Sequence, residues 1–248
     1  MTEIASHRGG AALWPENSER AFRETLALGV EQIEFDVRLS ADGVPVIFHD
    51  ATLDRVTNGT GPVSALNVGD LKRLEITGGG GKIMTLEEGA RILAESDIVL
   101  RCEIKPDGEM RPYPGLVDLT FATLAALRLI DRTIVTSFHL EILGDVRSRS
   151  APLADIMWLV ASPLARLIGP ARLTALCRHE QIGSLSLHHA DLDDLTLTEF
   201  RSAGLSVGAF GVYDDEAISS AFRRALSVFT TDRPDAALRL RPASETSV

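Results

Sequence analysis

The chain has 248 residues, 45% of them hydrophobic, with 25 Lys and Arg against 35 Asp and Glu for a formal net charge of −10. That length suits one large domain with a sizeable core, and the acidic balance excludes nucleic acid or an anionic membrane surface as the default partner. Cys102 and Cys177 make neither a disulfide framework nor a metal spacing and read as reduced core residues. There is no basic segment followed by an apolar run, and no stretch approaches the ~18 apolar residues of a membrane span. A cytoplasmic protein without stable membrane association is therefore expected.

In chain order, apolar strand-like runs fall at 3–7, 32–37, 98–105, 133–138, 153–160, 184–188, 205–210 and 226–231. Helix-period segments fall between them at 18–29, 85–95, 115–129, 139–149, 163–179, 194–203, 214–225 and 234–240. Strand after helix after strand, repeated through a chain near ~250 residues, predicts a (β/α)₈ TIM barrel over 1–241. A doubly wound open sheet is the alternative, but no Gly-rich dinucleotide loop follows the first strand. Residues 44–49, "VPVIFH", make a further strand that returns through the hairpin signal Asp42-Gly43. An antiparallel return cannot belong to a parallel barrel, so 38–84 reads as an insertion after the second strand. The segment 242–248 reads as a disordered tail.

The second strand, "QIEFDV", alternates Ile33, Phe35 and Val37 with Glu34 and Asp36. One face is apolar and the other carries two carboxylates. The hairpin decides what lies across from them. A two-residue turn sets Asp36 opposite His49, and a four-residue loop sets Glu34 there. A three-residue loop sets Phe35 there and turns His49 to the wrong face.

In a barrel, chemistry gathers at the C-terminal ends of the strands. Those ends carry His7-Arg8-Gly9, Glu34 and Asp36, Glu103 and Lys105, His188-His189, Phe210, and Thr231-Asp232. Three carboxylates on adjacent strands repel one another unless a cation or protons intervene. An all-oxygen set without Cys favours Mg²⁺ or Ca²⁺ as cofactor. His7 and His49 titrate near neutrality and suit general acid and base roles, with neither role assigned to either ring. Arg8 and Lys105 can hold phosphate oxygens. The set points to phosphoryl transfer on a small-molecule substrate.

These residues sit in "SHRGG…PENS…AF", "E.DV..S.DG.PV..HD..L.R.T.G.G.V", "E.K" and "TDRPD", which together resemble the glycerophosphodiester phosphodiesterase family. The match is dense over the first ~105 residues and thin from there to the last strand. The resemblance implies a barrel with an insertion, a divalent metal, and hydrolysis of glycerophosphodiesters to sn-glycerol 3-phosphate and an alcohol. It implies Glu34, Asp36 and Glu103 as metal ligands and His7 and His49 as the acid–base pair. It also implies that Arg8, Asn17 and Lys105 hold the phosphate or complete the metal's surroundings. A lysophospholipase D-like activity on lysophospholipids is within what the family implies. Where many members carry "WTVN", this chain has "FGVY", with Phe210 and Tyr213, and its insertion has "GGGGKIMTL" in place of an aromatic-rich segment. Both departures bear on the alcohol accepted more than on the reaction.

Plainer readings stand beside these. Glu34 and Asp36 could simply pair with Arg8 and Lys105. Asn17-Ser18 is a helix N-cap and Asp232 another. Arg55 stabilises its loop, and Asp50 is a turn residue beside His49. His188 and Phe210 are candidate substrate contacts by position, and Phe210 equally suits the core. Two rival functions remain: a Schiff-base lyase using Lys105, and a non-catalytic phosphate-ester-binding protein. Homo-oligomerisation stays open.

Overall fold

The computed structural model describes residues 1–243; the tail expectation therefore lies, from residue 244 onward, outside the described residues. The strands are β1 (Glu3–Ser6), β2 (Gln32–Leu39), β3 (Pro45–Ile47), β4 (Glu75–Ile76), β5 (Gly81–Lys82), β6 (Val99–Ile104), β7 (Thr133–Ser137), β8 (Asp155–Val160), β9 (Ser184–His188), β10 (Ser206–Phe210) and β11 (Val228–Thr231). The helices are α1 (Glu19–Leu28), α2 (Val68–Leu71), α3 (Leu86–Leu93), α4 (Leu116–Ala126), α5 (Leu140–Ser148), α6 (Ser162–His179), α7 (Asp194–Ser202), α8 (Asp215–Arg223) and α9 (Pro234–Leu240). The main sheet runs β1-β11-β10-β9-β8-β7-β6-β2-β3, and an additional β1–β2 pairing closes it. Every pairing in the ring is parallel; only β3 is antiparallel. Eight strands thus form the barrel expected from the alternation, and β3 hangs from its rim. The expected and observed strand boundaries coincide or differ by at most two residues.

Strand alternation assigns the faces. Ile33, Phe35 and Val37 of β2 and Leu100, Cys102 and Ile104 of β6 pack into the large core shared with the helices. Glu34 and Asp36 lie level with Arg101 and Glu103 on the neighbouring strand, on the opposite, inward face. Below them the barrel interior is filled by Ala5, Ile134, Met157 and Val228. Caps stop and start the helices as their sequences dictate: Thr85 and Glu88 form a capping box on α3, and Ser18, Asp193 and Asp214 accept from the first turns of α1, α7 and α8. Helix α6 is broken at Gly169, which has φ of 71°, followed by Pro170, which has no N–H to donate.

The insertion has its own core of Val46, Phe48, Leu53, Val63, Leu71, Ile76 and Ile83. Its hairpin corrects one expectation. Val37 pairs with Ile47 and Leu39 with Pro45, which leaves a three-residue loop, Ala41 to Gly43, and extrapolates to Phe35 opposite His49. Ser40 N–H donates to Val44 O, and Gly43 takes the left-handed conformation such a loop requires, at φ 76°. Asp42 fixes this loop by accepting from Ser40 Oγ and from Val68 N–H, a long-range bond that the dipeptide alone does not announce. Because β3 ends at Ile47, the pleat does not extend to His49.

Phe35 is fully buried, with its ring 5.7 Å from that of Phe22 on α1. Phe35→Ala is expected to cost about 3–5 kcal/mol, read as a lower urea midpoint at unchanged m-value.

Candidate active site at the barrel mouth

Three carboxylates from adjacent strands converge: one oxygen each from Glu34, Asp36 and Glu103 lie within 4.8 Å of one another, all buried. Glu34 Oε2 accepts the Arg8 backbone N–H at 2.8 Å, while its Oε1 has no hydrogen-bond partner. Arg8 reaches that position in the left-handed region, φ 50°, an uncommon conformation for a side-chain-bearing residue. The turn it occupies packs so tightly on α1 that a Cβ at Gly9 would lie 2.7 Å from that of Ala21. Burial, and then the charges of Asp36 and Glu103, push the Glu34 carboxyl up to about 7.

Asp36 is the opposite case. Burial would raise its pKa, but Lys105, His49 and Arg8 outweigh it and hold the carboxyl far below the usual range. Lys105 Nζ lies 3.0 Å from Asp36 Oδ1, and Asn17 Nδ2 donates to Oδ2 at 2.8 Å. Lys105 also donates to Glu103 in a short bond. This is the ion-pair network of the plainer reading. Glu34 Oε1 is the oxygen that the network leaves over. Among the described residues Glu34 Oε1 and Asp36 Oδ1 have no hydrogen-bond partner, Asp36 Oδ1 meeting only the Lys105 ammonium, and an all-oxygen donor set of this kind fits a hard divalent cation.

Both candidate histidines line one cavity of about 170 Å³, together with Arg8, Glu34, Glu103 and Lys105. Each imidazole has an aspartate on Nδ1: His7 bonds Asp232 at 2.5 Å and His49 bonds Asp50 at 2.6 Å. His7 Nε2 is 4.0 Å from Glu34 Oε2, and the His7 ring stacks at 6.0 Å on Tyr213. Burial opposes protonation of His7, yet the Asp232 hydrogen bond and the Glu34 charge raise its pKa. Burial lowers that of His49, and the cations Lys105 and Arg8 add to the effect against the pull of Asp36 and Asp50.

His49 sits on the mouth despite the hairpin register because side chains, not the sheet, place it. Arg38, one alternation beyond Asp36 and buried, donates from Nε to the His49 carbonyl at 2.7 Å and from Nη1 to the Pro106 carbonyl at 2.5 Å. One guanidinium thus spans the arm that carries His49 and the loop that follows Glu103 and Lys105.

The remaining expected contacts divide. Phe210 lines the cavity, with its ring edge to face against Phe138 at 5.6 Å. Asn17 does not; it holds Asp36 from behind, its own backbone at φ 55°. His188 also lies off the cavity, where it accepts from Ala190 N–H and supports Phe210 edge to face at 5.7 Å. Asp232 does not cap the last helix, whose N-cap is Arg233. Its place at the end of the eighth strand was the signal that it belongs to the mouth. Arg38, one alternation beyond Asp36 at the end of β2, carried the same signal; Glu16, in a loop, did not. Glu16 carries Arg8 and Arg55, and only the closed fold brings these three together.

The sequence and the fold have counterparts. Residues 7–236 match the family model described as the glycerophosphoryl diester phosphodiesterase family. A glycerophosphodiester phosphodiesterase of Caldanaerobacter subterraneus subsp. tengcongensis is 34% identical over 61% of this chain and 64% of its own length. Another, from Bacillus altitudinis, is 33% identical over 56% of this chain and 59% of its own length; the chain thus spans under two thirds of both relatives. A solved structure from Agrobacterium tumefaciens, provisionally named a glycerophosphoryl diester phosphodiesterase, superposes with a TM-score of 0.94 at 33% identity, covering 97% of both chains. An Oleispira antarctica phosphodiesterase, solved in complex with its product sn-glycerol-3-phosphate, shares the fold at a TM-score of 0.85, 23% identity, and coverage of 97% and 96%.

Arg38→Met is expected to release the His49 arm. Native-state hydrogen exchange should then speed up at Phe48 and His49 while the far side of the barrel keeps wild-type protection, with a stability loss of about 1–3 kcal/mol for the unpaired carbonyls.

Proposed function

The chain belongs to the glycerophosphoryl diester phosphodiesterase family, and on that premise we propose that it hydrolyses glycerophosphodiesters to sn-glycerol 3-phosphate and an alcohol with a divalent cation, Mg²⁺ or Ca²⁺. The observation that carries this reading is the pair of aspartate-held imidazoles on one cavity beside three converging carboxylates. Phosphate binding alone requires no proton shuttle, so the pair weighs against a non-catalytic binding protein. The product follows the one recorded with the Oleispira relative.

Glu34, Asp36 and Glu103 would hold the cation, which would neutralise the phosphate and offset charge developing during displacement. Arg8 and Lys105 bind phosphate oxygens, Arg8 as a fork and Lys105 as a point charge. His49, whose pKa is lowered, takes the proton of the attacking hydroxyl, which belongs to water or to the neighbouring glycerol carbon. His7, whose pKa is raised, gives a proton to the leaving oxygen. Asp232 and Asp50 fix both rings so that each Nε2 is left for the substrate. A Schiff base on Lys105 is disfavoured, since that chemistry needs a neutral amine. Burial favours that form, but Asp36 and Glu103 outweigh it and raise the pKa of Lys105.

Phe138 and Tyr213 are partly exposed at the mouth and offer an apolar surface to an alkyl chain. They favour lysophospholipids as a second substrate class, and the same assay run on lysophosphatidylcholine tests it. Among the described residues no helix is long and apolar enough to cross a membrane.

Chelation by EDTA is expected to abolish release of glycerol 3-phosphate, with Mg²⁺ or Ca²⁺ restoring it. His49→Ala should cost on the order of 10²–10⁴ in kcat while divalent-ion binding measured by calorimetry persists. Full turnover by His49→Ala would remove the acid–base assignment. Asp232→Asn tests the role of His7 by pH. An acid must be protonated, so activity falls as pH rises through the His7 pKa. Without Asp232 that pKa drops, and the alkaline limb of the kcat profile should move to lower pH.

A further inference from the structure

His49 stands two residues past the end of β3. The insertion that carries it packs mainly on its own apolar cluster, and of its buried apolar residues only Ile47 and Met84 join the barrel's large core. Something must therefore register the insertion against the barrel to within the tolerance that proton transfer demands. Arg38 fixes the His49 backbone, but it does not reach the ring.

The ring is held by a chain of charges. His49 Nδ1 lies 2.6 Å from Asp50 Oδ1. Arg55 donates from Nε to Asp50 Oδ2 at 2.6 Å and from Nη2 to Asp50 Oδ1 at 3.0 Å. The far edge of the same guanidinium meets Glu16, Nη1 to Oε2 at 2.8 Å and Nη2 to Oε1 at 2.7 Å. Glu16 Oε1 also accepts from Arg8 Nη1 at 3.0 Å. Asp50 and Arg55 belong to the insertion, whereas Glu16 and Arg8 belong to the loop after β1. One planar group thus makes two forked contacts, one on each side of the boundary.

From this geometry we propose that Arg55 is a positioning residue for the active site: it locks the Asp50–His49 pair of the insertion to the Glu16–Arg8 pair of the barrel. The proposal rests on the reading of His49 and Arg8 given above. An isolated exposed ion pair would be too weak for the task. Arg55 is half exposed, but it is bidentate to both carboxylates, and Glu16 beneath it is largely buried. The fork also explains the residue type, because an ammonium cannot present two edges at once.

The test compares Arg55→Met and Arg55→Lys with wild type, and with Arg73→Met as a control for loss of an exposed insertion arginine. Two readouts are taken: turnover of glycerophosphocholine, and the ring Nδ1–H resonances of ¹⁵N-histidine-labelled protein, with His49 assigned from His49→Gln. His7 serves as internal reference, because its partner Asp232 does not touch Arg55. Both Arg55 variants are expected to lose or broaden the His49 Nδ1–H signal while that of His7 persists. They should also lose on the order of ten- to a hundredfold in kcat from a misplaced ring, with KM within about threefold. Arg73→Met should match wild type. A His49 signal unchanged in both variants overturns the proposal whatever happens to turnover, as does its absence from the wild-type protein. If wild type turns over no glycerophosphodiester with any divalent ion, the functional reading fails, and the His49 resonance still decides the positioning claim.

Discussion

Mutual repulsion among Glu34, Asp36 and Glu103 is the constraint around which the rest of the molecule is arranged. Three carboxylates on two neighbouring strands, all withdrawn from water, cannot all stay ionised without compensation. The fold answers with cations from separate segments, Arg8 from the turn after β1 and Lys105 from just past the end of β6, and with the neutral N–H groups of the Arg8 backbone and the Asn17 side chain. These answers are unequal. Asp36 is heavily compensated and stays charged, while Glu34, with one bare oxygen, is driven up toward neutrality. That inequality leaves the cluster short of positive charge at Glu34, which the proposed cation would supply.

The histidines follow a parallel logic. Each has an aspartate behind it, but the surroundings differ. For His7 the Asp232 bond and the Glu34 charge outweigh burial and raise the pKa; for His49 burial prevails, with Lys105 and Arg8 adding to it against Asp36. The same residue type is thereby given a raised proton affinity on one side of the mouth and a lowered one on the other. In the proposed reaction that split would let one cavity serve both proton transfers.

The barrel and most of the mouth were legible in the sequence because they depend on short-range patterns. Alternation in "QIEFDV" and "VLRCEI" separates a core face from a charged face, and strand ends fall where side chains must look into the mouth. What escaped was long-range. The hairpin length depends on Asp42 reaching Val68, and the contacts of Asn17 with Asp36 and of His188 with Phe210 join residues far apart in the chain. Asp232 looked like a cap because Pro234 follows it; its partner lies 225 residues away. Arg38 continues the alternation of Glu34 and Asp36, but its partners are two distant backbone carbonyls, and Glu16 acts through an ion pair shared with Arg55; neither set of partners leaves a spacing to read.

The separate apolar nucleus beneath the 38–84 segment has an evolutionary corollary. A module that packs largely on itself, with only Ile47 and Met84 of its buried apolar residues in the large core, can drift on its outer side without disturbing the barrel's interior, while the arm bearing His49, Asp50 and Arg55 is held in place. Under the proposed activity, variation in the accepted alcohol would then arise on that outer side while the acid cluster stays fixed.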